Sequence, residues 1–265
     1  MSSPFQFIRN FFRKKITASR PNIWQKLFLL RKIYLTKVFR LFYSQFGEDL
    51  ILKDFLSKSA NDGFFVDVGC YHPKKYSNTY RLYKRGWRGI NIDLDELKIK
   101  AFNLVRSEDC NITAAVSDHE GIVKLYSFGT YSLGSTIDEE TALKNKSDIK
   151  GVREIKTQRL DEIIEGTRFA GRQVDLLSID AEGHDLNVLK SLNLEKYKPK
   201  IIIIETHLVC FDLVEGSELY QFLKQKGYHL MNWVGFSMIF TLPDNPLLRP
   251  DLRAVLESVS SSSKI

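Results

Sequence analysis

Acidic side chains close four short apolar runs in this 265-residue sequence. Asp67 lies in FFVDVG, Asp93 ends GINID, Asp180 ends VDLLSID and Glu205 follows the four isoleucines of KIIIIET. Carboxylates at such positions can accept hydrogen bonds from the hydroxyls of a ribose, or can take a proton from a reacting hydroxyl. The residue types therefore suit nucleotide binding combined with acid–base chemistry.

The elements that carry these acids predict an α/β domain. An apolar run at residues 64–66 leads to a turn at Gly69, and a helix-length segment and a second apolar run follow. This succession is one half of a nucleotide-binding sheet. Residues 174–180 and 200–206 are nearly continuous apolar runs, as expected of parallel strands buried on both faces. A hairpin at residues 228–242 ends the alternation, so a mostly parallel sheet with one antiparallel strand is predicted.

The turn after the first strand favours S-adenosylmethionine over a dinucleotide. Residues 69–73 read GCYHP, with one glycine where a dinucleotide-binding turn has three. Such a turn offers few backbone amides to a pyrophosphate, so a ligand with a ribose and no phosphate fits better. Asp67 would orient the turn and the amino-acid end of this ligand, and Asp93 would bind its ribose.

Four further residues are candidates for contacts with the same ligand. Gly69 lets the ligand approach the backbone, and Tyr71 lies at the edge of the predicted site. Ser117 either makes a turn or lines an adenine pocket. Gln45 stands at the start of a predicted helix over residues 44–57, where it has no capping task and could reach the ligand.

The carboxyl ends of the central strands supply the candidates for acid–base chemistry, because ligands bind outside that edge of an open α/β sheet. The candidates are Asp180, Glu182, His184, Glu205 and His207. His207 either transfers protons or is a strand-end histidine bonded to backbone, and Glu182 either orients the acceptor or caps a helix. Glu205 would be buried at high cost if it did not face a ligand. Asp180 could hold a divalent metal with its neighbours, but no spacing requires one.

The positive charge of the chain is concentrated near its N-terminus. Residues 1–40 hold ten Lys and Arg and no acid, whereas the remaining residues hold 29 basic and 32 acidic side chains. The near-neutral remainder shows no nucleic-acid footprint, so a nucleic-acid partner is not expected. The three cysteines have neither disulfide nor metal-ligand spacing, which favours a reducing, cytoplasmic location.

Residues 1–43 interleave basic with large apolar side chains and predict two helices separated near Pro21. They contain no apolar run of the roughly 18 residues that a transmembrane helix needs. Two interpretations stay open for this appendage. It is an amphipathic anchor on the anionic inner face of a membrane, or a helical hairpin that packs on protein. RNA binding is a third interpretation.

Seven motifs together resemble one known family. In order they are SQFGEDLIL, FFVDVGCYHP, GWRGINID, AAVSD, RLDEII, VDLLSIDAEGHDLNVLKSL and IIIIETH, spread over residues 43–242. They resemble the FkbM-type S-adenosylmethionine-dependent methyltransferases. Cys70 and Pro73 depart from the family's usual turn, and Ser178 and Asp185 stand where the family often has Lys and Glu.

The resemblance implies a Rossmann-like class I methyltransferase fold with a mostly parallel seven-stranded sheet, which the predicted N-terminal basic helices precede. It also implies methyl transfer from S-adenosylmethionine to an oxygen, with a sugar, a glycan or a related hydroxylated molecule as the acceptor. The alternative is a module that binds S-adenosylmethionine without catalysis and serves as an interaction or nucleic-acid-binding protein.

We therefore divide the chain into three parts. Residues 1–43 form the basic helical appendage, residues 44–243 the methyltransferase domain and residues 244–265 a C-terminal tail that ends in a disordered serine run. Within the domain, residues 129–150 are polar and predict a lid or mobile loop. The catalytic candidates of this reading are Asp180, Glu182, Glu205 and His207.

Overall fold

The computed structural model describes residues 21–34, 41–129 and 135–262. The chain divides into two compact units, Met1–Leu41 and Phe42–Ile265. In the first unit the structure describes helix α1, Pro21–Tyr34, where a helix from residue 23 to 42 is predicted. The predicted helix around residues 5–16 lies outside the described residues. None of the helices that the structure describes is both long and apolar enough to cross a membrane.

The second unit is built from short strands and helices in alternation. Its strands are β1 Phe64–Val68, β2 Arg88–Asp93, β3 Cys110–Thr113, β4 Ala115–Val116, β5 Ile122–Ser127, β6 Gly151–Gln158, β7 Leu176–Ile179, β8 Ile201–Glu205, β9 His229–Val234 and β10 Ser237–Thr241. Its helices are α2 Glu48–Phe55, α3 Tyr80–Tyr83, α4 Glu96–Val105, α5 Glu139–Lys144, α6 Leu160–Glu165, α7 Asp185–Lys190, α8 Leu194–Tyr197, α9 Phe211–Gly216, α10 Glu218–Gln225 and α11 Pro250–Ser262.

Seven of these strands form the main sheet, in the order β3-β2-β1-β7-β8-β10-β9. Neighbouring strands from β3 to β8 pair in parallel, and β10 pairs antiparallel with both β8 and β9. The predicted fold, a Rossmann-like mostly parallel seven-stranded sheet with one antiparallel strand, is confirmed. Its order reverses between β1 and β7, which is where a ligand crevice forms in such sheets.

The central strands are apolar throughout because both of their faces are covered. In β8 the side chains of Ile202 and Ile204 belong to one core cluster, and those of Ile201 and Ile203 belong to the other. Helices α6 and α7 pack on the first face, and α2 packs on the second. Each fully buried side chain of this size contributes about 1.5–3 kcal/mol, so the core fixes the strand ends firmly.

The sequence predicts one strand over residues 111–116, but the structure divides it. Residues of β3 pair with β2 in the main sheet, whereas β4 pairs with β6 in a separate three-stranded sheet, β4-β6-β5. Ala114 lies at the division, where its N–H donates to the carbonyl of Asp93 at 3.2 Å. The chain therefore leaves the main sheet at the end of β2, beside the predicted ligand edge.

The C-terminal segment belongs to the second unit and packs against the segment that follows helix α2. The N–H of Ser57 donates to the carbonyl of Leu247, and Leu56 forms a bridge with Leu248. Helix α11 continues through Ser262, where a disordered serine run is predicted. The hydroxyls of Ser258 and Ser260 donate to helix carbonyls one turn earlier, so the helix itself satisfies these polar side chains.

Candidate functional site

A cleft that is open to solvent lies at the carboxyl edge of the main sheet. It lies outside the ends of β1, β2 and β7, at the reversal of strand order. Among the candidate site residues, six line it: Gly69, Tyr71, Asp93, Asp180, Glu182 and His184. The other lining residues are Val68, Ile92, Leu94, Lys98, Ala114, Val116, Ser135, Ile137, Ala181 and Val188. The structure therefore brings six of the eleven candidate residues to one cleft.

Gly69 makes a turn that no other residue can make in this place. Its φ is +76°, and a Cβ added there would lie 1.7 Å from the carbonyl oxygen of Asp180. Its N–H donates to the carbonyl of Ile92 at 2.9 Å, so the turn is tied to β2. Two strand ends thus approach each other through a glycine, and the floor of the cleft is bare backbone.

The carboxylate of Asp93 is held at the end of β2 by three donors. Its Oδ1 accepts from the N–H of Asp95 at 2.9 Å. Its Oδ2 accepts from the N–H of Tyr71 at 3.1 Å and from Nζ of Lys98 at 3.3 Å. Tyr71 has a φ of +51°, and this left-handed conformation turns its N–H toward the acid. Asp93 is thereby fixed in orientation, with acceptor capacity left on Oδ1 for a ligand hydroxyl.

Asp67 lies beneath the turn instead of in the lining of the cleft. It accepts a hydrogen bond from Oγ1 of Thr79 at 2.6 Å, and Arg106 donates to the same hydroxyl at 2.9 Å. Burial raises the pKa of Asp67, although the hydrogen bond from Thr79 and the charge of Arg106 oppose that rise. The geometry gives Asp67 a supporting position under the cleft floor.

Ser117 and Gln45, both predicted to contact the cofactor, also lie outside the lining. Ser117 is fully buried, and its Oγ lies 3.0 Å from Nε2 of His184, which does line the cleft. Burial lowers the pKa of His184, so its imidazole is neutral at pH 7. Gln45 is exposed in the loop before α2. Ser117 therefore lies behind His184, which separates it from the cleft.

The turn after β7 presents Glu182 in an unusual backbone conformation. Glu182 has a φ of +51° and Gly183 a φ of +95°. The carboxylate of Asp185 accepts from the N–H groups of Ala181 at 2.9 Å and Gly183 at 3.1 Å. Oγ1 of Thr136 donates to the Glu182 carbonyl at 3.0 Å, so the segment after β5 packs on this turn. A non-glycine residue held in this conformation is a common feature of functional sites.

Three carboxyl groups converge at this end of the sheet and hold protons more tightly than usual. Burial and the charge of Glu205 raise the pKa of Asp180 well above its ordinary value. Burial, then the charges of Asp180 and Asp185, raises the pKa of Glu182 to about 7. Burial also raises the pKa of Glu205 to about 7. Glu182 and Glu205 therefore exchange protons near neutral pH, as a general base should.

Glu205 and His207 lie at the end of β8, next to the cleft but outside its lining. Nε2 of His207 lies 3.8 Å from Oε2 of Glu205, and the His207 side chain is 62% exposed. Single ligand atoms of Glu182, Glu205 and His207 all lie within 4.8 Å of one another. The four predicted catalytic residues thus occupy the ends of two neighbouring strands.

An aromatic surface adjoins this group of acids. The rings of Phe46 and Phe236 meet edge to face with centroids 5.4 Å apart, and the ring of His207 lies 5.5 Å from that of Phe236. Buried Glu48 connects the two phenylalanine segments, because it accepts from the N–H of Phe46 and from the hydroxyl of Ser237, both at 2.9 Å. Phe46 and Phe236 keep 40% and 41% of their surface exposed.

Several functional positions were not predicted from the sequence. From the sequence, Lys98 is expected to be a solvated charge on a surface helix. Nothing in its spacing predicts the ion pair with Asp93. The apolar wall of Ala114, Val116 and Val188 reads as ordinary core. Phe46 adjoins Gln45 in the first motif, and this adjacency is the signal that could have drawn attention to it.

Comparisons with known proteins concern the family of this chain. A family model described as the methyltransferase FkbM domain matches residues 61–230. Among solved structures, the crystal structure of methyltransferase FkbM from Methylobacillus flagellatus KT aligns with a TM-score of 0.46 and 14% identity. The alignment covers 68% of this chain and 44% of that one, so this chain spans less than half of that relative's length. No curated protein matches the sequence.

Proposed function

Because this chain belongs to the FkbM methyltransferase family, we propose that it transfers the methyl group of S-adenosylmethionine to a hydroxyl oxygen of a sugar or glycan. The observation that carries the proposal is the cleft itself. Gly69, Asp93, Asp180 and Glu182 all line it, which supports a shared site for cofactor and acceptor. A nucleoside site and a proton acceptor therefore face the same space.

The residues of the cleft fit S-adenosylmethionine. The cleft combines apolar side chains with a few polar groups, as small-molecule sites do. The fixed carboxylate of Asp93 can accept hydrogen bonds from ribose hydroxyls, while Ala114 and Val116 offer an apolar wall to the adenine. The bound cofactor would supply a methyl group on a positively charged sulfur.

The chain's own contribution is to align the acceptor oxygen and to take its proton. Alignment converts an encounter between two molecules into a reaction within one complex. Asp180 and Glu182 line the cleft, and Glu205 and His207 lie beside it. Carboxyl groups with pKa values near 7 are matched to proton removal at neutral pH, which supports catalysis over binding alone.

The acceptor is proposed to lie on the aromatic surface of Phe46 and Phe236. Aromatic faces bind the apolar side of a sugar ring, while nearby acids and His207 accept its hydroxyl hydrogens. The exposure of both rings and their closeness to His207 support this position. Glu48 would fix the surface by holding both phenylalanine segments.

We also propose that the N-terminal unit associates with the cytoplasmic face of an anionic membrane. In the described helix α1, the apolar side chains of Ile23, Leu27 and Phe28 are about half exposed. Lys26, Arg31 and Lys32 lie among them, and each basic residue near an anionic surface contributes about 1 kcal/mol. Flotation of the full chain with anionic vesicles at low salt tests this, and absence from the vesicle fraction would contradict it.

The test of the main proposal has two steps. Calorimetric titration with S-adenosylmethionine measures binding, and mass spectrometry of a panel of sugars and glycans then detects a mass gain of one methyl group. We expect saturable binding followed by transfer to an oxygen. Binding without transfer, together with loss of a protein or nucleic-acid partner when the basic residues of helix α1 are neutralised, would favour the non-catalytic module. Absence of saturable binding would refute both functions.

A further inference from the structure

We propose that Glu182, Glu205 and His207 form a binding site for a divalent transition-metal cation, with Mn²⁺ as the best match. One carboxylate oxygen from each glutamate and one imidazole nitrogen lie within 4.8 Å of one another. Ligand atoms about 2.1 Å from a shared ion lie about 3–4 Å apart, so side-chain movements of less than about 1 Å would complete the site. The three side chains come from the ends of β7 and β8, which are neighbours in the sheet.

The buried oxygen of Glu205 points independently to a missing ligand. Oε2 of Glu205 is inaccessible to solvent and has no hydrogen-bond partner. A buried carboxylate oxygen without a partner is costly, and such groups in folded proteins are paired or coordinate metals. The nearest basic side chain is the imidazole of His207 at 3.8 Å, and imidazole is a common metal ligand.

The charge of the surrounding residues also favours a cation. Within the described ranges, no Lys or Arg nitrogen lies within 4.0 Å of the carboxylates of Asp180, Glu182 or Glu205. Lys98, which also lines the cleft, is paired with Asp93 at 3.3 Å. Three acids therefore share one partly buried space without a lysine or arginine partner, and a divalent ion would balance them.

The donor set narrows the choice of ion. Carboxylate oxygens suit Mg²⁺, Ca²⁺ and Mn²⁺, whereas an imidazole nitrogen suits Zn²⁺, Fe²⁺ and other transition metals. Two oxygens with one nitrogen suit Mn²⁺ best among the ions that accept both. Three protein ligands leave coordination positions open, and on the proposed function these would bind the acceptor hydroxyl and lower its pKa.

Electron paramagnetic resonance of Mn²⁺ tests the site on the full chain, because the free ion's signal falls as the ion binds. The variants are His207→Ala, whose side chain is too exposed for the fold to depend on it, and Glu205→Gln. Matched controls are His119→Ala, with the same 62% side-chain exposure, and Glu218→Gln on the surface of α10. Circular dichroism verifies that each variant is folded.

We expect the wild-type chain to bind one Mn²⁺ with a Kd near or below about 100 µM. His207→Ala and Glu205→Gln should each weaken binding by about tenfold or more, while the controls stay within about twofold. Binding only above about 1 mM, or equal binding by all variants, would overturn the proposal. A parallel titration with S-adenosylmethionine separates the two claims. Cofactor binding without Mn²⁺ binding refutes the cation site alone, and the reverse result refutes the proposed function alone.

Discussion

Replacement of Gly69 by alanine tests whether the close approach of β1 and β7 forms the cofactor site. An alanine at a φ of +76° carries a backbone cost of about 1–2 kcal/mol. Its Cβ would also lie 1.7 Å from the carbonyl oxygen of Asp180, well inside any van der Waals contact. The strand ends would have to separate, and overpacking of this kind costs about 1–3 kcal/mol. We therefore expect a total loss of about 2–5 kcal/mol in the free energy of unfolding.

Gly171 supplies the matched control for this substitution. Its φ is +71°, and a Cβ added there meets no atom within 4 Å. Gly171→Ala thus carries the backbone cost without the clash, about 1–2 kcal/mol. Urea unfolding of both variants isolates the clash, and calorimetry with S-adenosylmethionine reports its effect on the site. Gly69→Ala should bind at least about tenfold more weakly, the equivalent of about 1.4 kcal/mol. Equal stability and equal affinity in the two variants would refute the reasoning.

Three further predictions concern the acids. Asp93→Asn should weaken S-adenosylmethionine binding by about 10- to 100-fold, because hydrogen bonds to a charged acceptor contribute about 1.5–3 kcal/mol, whereas calorimetry of Asp95→Asn should show unchanged affinity. Burial raises the pKa of Asp185 to about 7, so the folded protein binds the extra proton between about pH 4 and 7 and loses stability as pH rises through that window. The free energy of unfolding of Asp185→Asn should fall less steeply with rising pH than that of the wild type, by up to about 1.4 kcal/mol per pH unit. Urea unfolding at several pH values measures this, and an equal pH dependence in both proteins would contradict it. Methyl transfer should rise between pH 6 and 8 as Glu182 and Glu205 lose their protons, and a rate that falls over this range would exclude both as the proton acceptor.

The sheet and its functional edge could be predicted because they depend on short-range sequence patterns. A run such as IIIIET is apolar on both faces, which fixes a central parallel strand and places Glu205 at its end. A single glycine after β1 favours S-adenosylmethionine over a dinucleotide, and this stays a prediction. These features need only the periodicity of a strand and the rule that ligands bind at the carboxyl edge.

Which of the acids line the cleft and which support it from behind could not be predicted, because this depends on contacts between distant parts of the chain. Ser117 meets His184 across 67 residues, and Glu48 meets Ser237 across 189. Asp67 was expected at the ligand, but the hydroxyl of Thr79 takes up its carboxylate below the turn. No local pattern in the sequence determines which of several acids faces the cleft and which supports the backbone around it.

The central claim is that the cleft between Gly69, Asp93 and Asp180 holds S-adenosylmethionine beside a group of proton acceptors. A crystal structure of the chain with the demethylated product, S-adenosylhomocysteine, tests it most directly. The claim predicts electron density with the ribose on the carboxylate of Asp93 and the sulfur facing Asp180 and Glu182. Density for the ligand at another place, or a ribose that makes no contact with Asp93, would contradict it.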